Sequence, residues 1–137
     1  MRVIIPGWGL RGDCEPVRPA EPSIEIINIC ACLTIEHSIV GAVRIILDVV
    51  QEDPLQIHVS DSLLDATHPQ REALCGPGGQ LAHAVLTIAR STVFGKICLH
   101  AIQLGEDSLF MGTVQVARRQ IGCVRFSYVP PASAVPR

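Results

Sequence analysis

Residues 95–116 repeat themselves after 17 positions: Gly95 returns as Gly112, Ile97 as Val114 and Leu99 as Val116. A fixed period of this length is expected when a chain winds back over itself and stacks equivalent short strands. The pattern is an apolar pair at alternate positions, a polar corner ending in serine, then a second apolar stretch. It occurs at Leu33, Ile35, Ser38 and Val40, and again at Ile57, Val59, Ser62 and Leu64. It recurs at Leu86, Ile88, Ser91 and Val93, and at Ile102, Leu104, Ser108 and Phe110, the last copy with one residue inserted before its serine. The serines are 24, 29 and 17 residues apart, the spacing of a coil of about 17 residues that carries loop insertions in two places.

Three short strands per coil, stacked in register, predict an all-β fold: a right-handed parallel β-helix (β-solenoid) of about four to five coils. Parallel neighbours need a crossover, which the rest of each coil supplies, and such crossovers are right-handed by default. The alternative is the left-handed helix of strict hexapeptide repeats. The five-residue step from Ile97 to Ile102 and the irregular loops favour the right-handed form. One domain is expected over residues 1–128, with loops at 11–22, 47–54 and 67–80 and a frayed tail at 129–137. Prolines 16, 19 and 22 exclude a central strand from the first loop. Pro69, Pro77 and three glycines argue against regular structure in the third. Residues 121–126 read as a last partial rung.

Stacking places Ser38, Ser62, Ser91 and Ser108 above one another at about 4.8 Å per rung. His37, Asp61, Arg90 and Asp107 precede them, so Asp61 and Asp107 flank Arg90, a charge pattern that helps to set register. A serine that recurs once per rung is a turn residue bonding the backbone, not a nucleophile.

Composition limits the chemistry. Apolar residues make up 48% and aromatics only 4%, so the core is built from Val, Ile, Leu and Ala. A net charge of −2 provides no basic stripe for nucleic acid. Arg118, Arg119 and Arg125 cluster but read as a solvated face. No apolar run is long enough for a membrane span, and the N-terminus lacks the apolar region of a signal peptide. The six cysteines lie among apolar residues and read as reduced thiols, which points toward a cytoplasmic setting.

No catalytic residue and no cofactor are assigned. Glu36 and His37 adjoin Asp61 in the next rung, an arrangement that reads as a solvent-facing ladder more readily than as an acid–base pair. The weak metal candidates are Cys30 and Cys32, on one side of a strand, with Cys98 and His100 in the same i, i+2 relation. Zinc-type spacings are missing. The candidate surface is formed by the loops 11–22 and 67–80, which offer Asp13, Glu15, Arg18, His68, Arg71 and Glu72 where insertions gather.

Residues 86–95, and above all 117–131, Ala-Arg-Arg-Gln-Ile-Gly-Cys-Val-Arg-Phe-Ser-Tyr-Val-Pro-Pro, resemble a recurrent segment of long uncharacterised bacterial proteins. Residues 6–9, 13–22 and 34–41 fit the same segment. The resemblance implies a β-helix-like piece of a larger protein and carries no activity. The chain departs from that pattern after Pro131, which suggests a truncated or frameshifted member. Its open coil ends predict self-association. Two functions follow as expectations: a structural or interaction module, and alternatively a carbohydrate-binding or carbohydrate-active domain. The second lacks the tandem carboxylates of pectin-degrading enzymes.

Overall fold

The computed structural model describes residues 2–4, 22–27, 32–47 and 53–136. Fourteen strands follow in chain order: β1 (Arg2–Ile4), β2 (Ile24–Ile27), β3 (Cys32–Glu36), β4 (Ile39–Val40), β5 (Val43–Ile46), β6 (Leu55–Ser60) and β7 (Leu63–Asp65). Then come β8 (Glu72–Cys75), β9 (Ala82–Ala89), β10 (Thr92–Phe94), β11 (Lys96–Glu106), β12 (Leu109–Phe110), β13 (Val114–Val116) and β14 (Cys123–Arg125). The strands form because apolar residues alternate with polar ones. In β6 the residues Leu55, Ile57 and Val59 are buried while Gln56 and His58 are exposed. In β9, Ala82, Ala84, Leu86 and Ile88 turn inward in the same way.

The all-β expectation holds, but the right-handed β-helix does not. The strands fail to divide into three stacked sheets. They form a ten-stranded, nearly all-parallel sheet in the order β1-β2-β5-β8-β11-β9-β6-β3, with β13 and β14 also on β11, and a four-stranded sheet in the order β12-β10-β7-β4. The large sheet is a half-barrel with β11 at its centre. The reason lies in β11 itself. It runs for 11 residues through the point where a corner was expected. Its first part pairs with β8 and β13, and its second with β9 and β14. Register shifts between Leu99 and Ala101 and between Ile102 and Leu104 bend the strand without ending it. The β1–β2 pair is antiparallel.

The individual registers agree with the spacing. Ile97 lies beside Val114 and Leu99 beside Val116. Leu33, Ile57, Leu86 and Ile102 form one continuous row. The extra residue before Ser108 coincides with the register shift between Ile102 and Leu104. The core collects these rows: Ile57, Leu86, Ile88, Ile97, Leu99, Ile102 and Val114 lie fully inside, with Leu64, Val93 and Phe110 facing them from the small sheet. Each such side chain contributes about 1.5–3 kcal/mol by leaving water.

Residues 67–80 depart from the loop reading, because they contain β8, whose Leu74 pairs with both Val43 and Ile97. Pro77 and the glycines are confined to the short 3-10 turn, Pro77–Gly79, that follows it. The loop 11–21 and residues 48–52 lie outside the described residues. At the C-terminal side, Ala134 bridges to Gln115, and its carbonyl accepts the Val116 N–H at 3.0 Å.

The corner has a conformation that spacing alone did not reveal. His37, Asp61, Arg90, Asp107 and Phe126 all take left-handed backbone angles, with φ of 48°, 48°, 47°, 49° and 51°. Each precedes a serine, and Ser127 is a fifth member of the row. Every hydroxyl in the row, from Ser38 to Ser127, donates to the carbonyl two residues earlier at 2.7–2.8 Å. Each from Ser62 onward also accepts the N–H of the preceding serine, at 3.1–3.3 Å. Left-handed φ costs a residue with a Cβ about 1–2 kcal/mol. Phe126, 81% exposed, has least to offset it. Phe126→Gly is therefore expected to raise stability by about 0.5–1 kcal/mol despite losing the Arg125 guanidinium 6.0 Å from its ring. A thermal melt with an unchanged or lower midpoint would count against this reading of the corner.

Candidate functional site

Two charged residues of the corner row, Asp61 and Arg90, are committed to each other. Arg90 grips Asp61 with Nε at 2.7 Å and Nη2 at 3.0 Å, and its guanidinium holds the Asp61 carboxyl below the usual carboxylate range. Asp107 adds only a longer-range attraction for Arg90. Arg125 closes on Glu106 differently, with Nε at 3.0 Å and Nη2 at 2.7 Å both donating to the one oxygen Oε2. These exposed pairs set register more than they stabilise. His37 touches the carboxylate chemistry only as a distant positive influence on Asp61.

Of the predicted surface residues, Asp13, Glu15 and Arg18 lie outside the described residues, as does Cys30 among the metal candidates. His68 and Arg71 shape their own loop: His68 Nδ1 accepts the Gln70 N–H at 3.1 Å, and Arg71 Nη1 donates to Thr67 Oγ1 at 2.6 Å. Glu72 opens β8, where its carboxylate lies against Gly79. Cys32 is exposed on β3, three strands away from β11, which carries Cys98 and His100. The His100 ring meets His83 edge-on with centroids 5.1 Å apart. Burial, the neighbouring His83 and Arg118 together favour its neutral form. Among the described residues, no three His, Cys, Asp or Glu side chains are grouped so as to hold a metal ion.

What the fold does bring together is a row on the outer face of the large sheet. Glu25 lies beside Arg44, Arg44 beside Cys75, and Cys98 beside Gln115. Leu74 lies beside Ile97, and one residue on, Cys75 and Cys98 become lateral neighbours. Leu74 and Ile97 point into the core, so the two thiols face the opposite way. They are nevertheless covered, at 1% and 6% exposure. The row begins with an Arg44–Glu25 ion pair of 3.3 Å.

Two clefts flank the thiols and meet at Glu72, Gly78 and Gly79. The smaller, about 140 Å³, is lined by Arg44, Arg71 and Cys75 among others. The larger, about 300 Å³, is lined by Lys96, Cys98, Thr113 and Gln115. The thiols share a hydrogen bond that sets their acidities apart. That bond, helped by nearby Lys96 and opposed by burial and by the Glu72 carboxylate, pulls Cys98 down to about 7. The same bond and burial push Cys75 up. Cys75 Sγ also lies 3.5 Å from the Lys96 carbonyl oxygen, so its single proton is divided between that oxygen and Cys98. Two thiols this close titrate as a pair, with Cys98 the more acidic member and Cys75 the less.

No family model matches the chain, and neither a curated protein nor a solved structure matches it. The site therefore stands on its own geometry.

Spacing does not reveal the Cys75–Cys98 pair, because proline and glycine at 67–80 argue against regular structure there. A signal was present. Val43-Arg44, Leu74-Cys75, Ile97-Cys98 and Val114-Gln115 each place an apolar residue before the outward one, and this series marks the row.

Proposed function

We propose that the chain is a structural and interaction module that associates with copies of itself head to tail. The support is the unfinished serine row. Ser127 accepts from Ser108, yet among the described residues its own N–H has no acceptor. At the other end Ser38 donates to Glu36, yet among the described residues no N–H reaches its oxygen. The missing donor at one end is the missing acceptor at the other.

The neighbouring row agrees. Ile39, Leu63, Thr92, Leu109 and Tyr128 succeed one another across the small sheet. Among the described residues its two ends are both apolar and uncovered, with Ile39 73% and Tyr128 50% exposed. A second copy would set its Ile39 beside Tyr128 of the first, burying both, and offer its β3 and β4 edges for pairing. Unpaired strand edges of this kind are templates for further strands. An interface made of two different surfaces, repeated without closure, yields open assemblies.

Sedimentation velocity over a wide concentration range tests this. The expected result is a mass that climbs with concentration for the natural chain, and a monomer for Ile39→Lys, which places a charge against the Tyr128 end. A monomer at all concentrations, or association that Ile39→Lys leaves unchanged, would sink the proposal. The carbohydrate reading finds no comparable support, since the exposed Phe126 and Tyr128 belong to one corner and not to a groove with paired carboxylates.

A further inference from the structure

We propose that Cys75 and Cys98 form a reversible two-thiol oxidation site, with Cys98 the attacking sulfur, Cys75 the resolving sulfur and a hydroperoxide the oxidant. Three features of the fold carry this. The first is position: the register that pairs Leu74 with Ile97 sets the two cysteines side by side on adjacent parallel strands. Adjacent strands are about 4.8 Å apart, within the roughly 4.4–6.8 Å between Cα atoms that a disulfide tolerates. The second is separation from the core. Both thiols are outside the apolar cluster that holds Leu74 and Ile97, so a bond between them leaves that packing alone.

The third is access. Cys98 lines the larger cleft, about 300 Å³, beside Lys96 and Gln115. Cys75 is the more deeply covered of the two and borders only the smaller cleft of about 140 Å³. A small oxidant in the larger cleft thus meets Cys98 first. Hydrogen bonding from Cys75, with a smaller part from Lys96, outweighs burial and Glu72 and favours the thiolate there, which is the reactive form. Cys32 and Cys123 are exposed, and neither has a thiol across an adjacent strand among the described residues.

The chemistry balances as follows. The Cys98 thiolate attacks one oxygen of hydrogen peroxide, the O–O bond breaks, and the departing oxygen takes up a proton to leave as water. Cys98 is then a sulfenic acid. The Cys75 sulfur attacks Cys98 Sγ, the S–S bond forms, the S–O bond breaks, and the second water carries off the thiol proton. Two thiols and one peroxide give one disulfide and two waters. A dithiol reductant reverses it by exchange.

Peptide mapping of the natural chain provides the test. Reduced protein is exposed to stoichiometric hydrogen peroxide, capped with iodoacetamide and cut with trypsin without reduction. Cleavage after Arg71, Arg90, Lys96 and Arg118 puts the two cysteines on separate peptides, 72–90 and 97–118. The expected product is these two peptides joined with the loss of two hydrogen atoms, and separated again by dithiothreitol. In Cys75→Ser the reaction should stop at Cys98 sulfenic acid, which dimedone captures. The proposal is overturned if the natural chain oxidises at Cys32 or Cys123 while both buried thiols remain alkylatable after unfolding. It is equally overturned if Cys98 proceeds to sulfinic acid with no link to Cys75. Both outcomes are read on the unsubstituted protein, so they do not depend on the folding of a variant.

Discussion

Gly112→Ala is expected to destabilise the chain by about 3 kcal/mol or more, because the added methyl group has nowhere to go. A Cβ on Gly112 would overlap the carbonyl carbon and oxygen of Gly95 and come within 2.9 Å of the Lys96 nitrogen. These are backbone atoms, and they cannot swing aside as a flexible side chain can. Gly95 is constrained in turn. Its φ of 141° suits glycine, and its own Cβ would lie 2.7 Å from that of Ala66 and 2.8 Å from that of Ala73. The two glycines thus mark a place where successive turns of chain approach closely. Gly105→Ala is the control, since its Cβ would meet only ordinary contacts of 3.5–3.7 Å. Urea unfolding should show a much lower midpoint for Gly112→Ala with little change in slope, and a near-native midpoint for Gly105→Ala. Equal midpoints for the two would refute the close approach.

Ser91→Ala has the second largest expected effect, a loss of about 2–4 kcal/mol. Ser91 is only 4% exposed, and its hydroxyl serves two backbone groups. It donates to the Ala89 carbonyl at 2.8 Å and accepts the Ser62 N–H at 3.1 Å. Alanine removes both partners and leaves them dry, and the cost comes mainly from that desolvation. Ser38→Ala is the informative comparison. Ser38 is half-buried and serves a single described group, the Glu36 carbonyl at 2.7 Å, so its loss should cost about 1 kcal/mol. A Ser91→Ala variant no less stable than Ser38→Ala would mean that the relay is incidental.

Much of the local register was legible. The rows through Ile97 and Val114 and through Leu33, Ile57, Leu86 and Ile102 follow from apolar residues and serines at matching offsets. Offsets say which residues are neighbours, but not whether a strand ends or bends between two neighbours. That distinction decided the architecture. Residues 99–102 contain apolar groups on both sides of His100, and bulges carry β11 through them, merging two expected sheets into one. The fifth serine, Ser127, was obscured because Phe126 stands where the other corners have polar residues. For the candidate site, His68 and Arg71 lie in the turn before β8 while Glu72 belongs to the strand itself, and the thiol pair depends on that strand, hidden between Pro69 and Pro77. Proline content argued against structure there. It acts only at the positions it occupies, and Glu72–Cys75 is free of it.

The parallel ladders also govern how fast the fold can be reached. Each parallel strand pair joins residues at least 16 positions apart. No hairpin between described strands β2 to β14 offers a cheap local start. The chain must close a long loop before the first contact repays it, which places its folding in the slow, millisecond-to-second regime of non-local β proteins. Until the central strand β11 has found its neighbours on both sides, every intermediate presents a bare parallel edge. Synthesis conditions and chaperone supply will therefore influence the yield of native protein more than its final stability does.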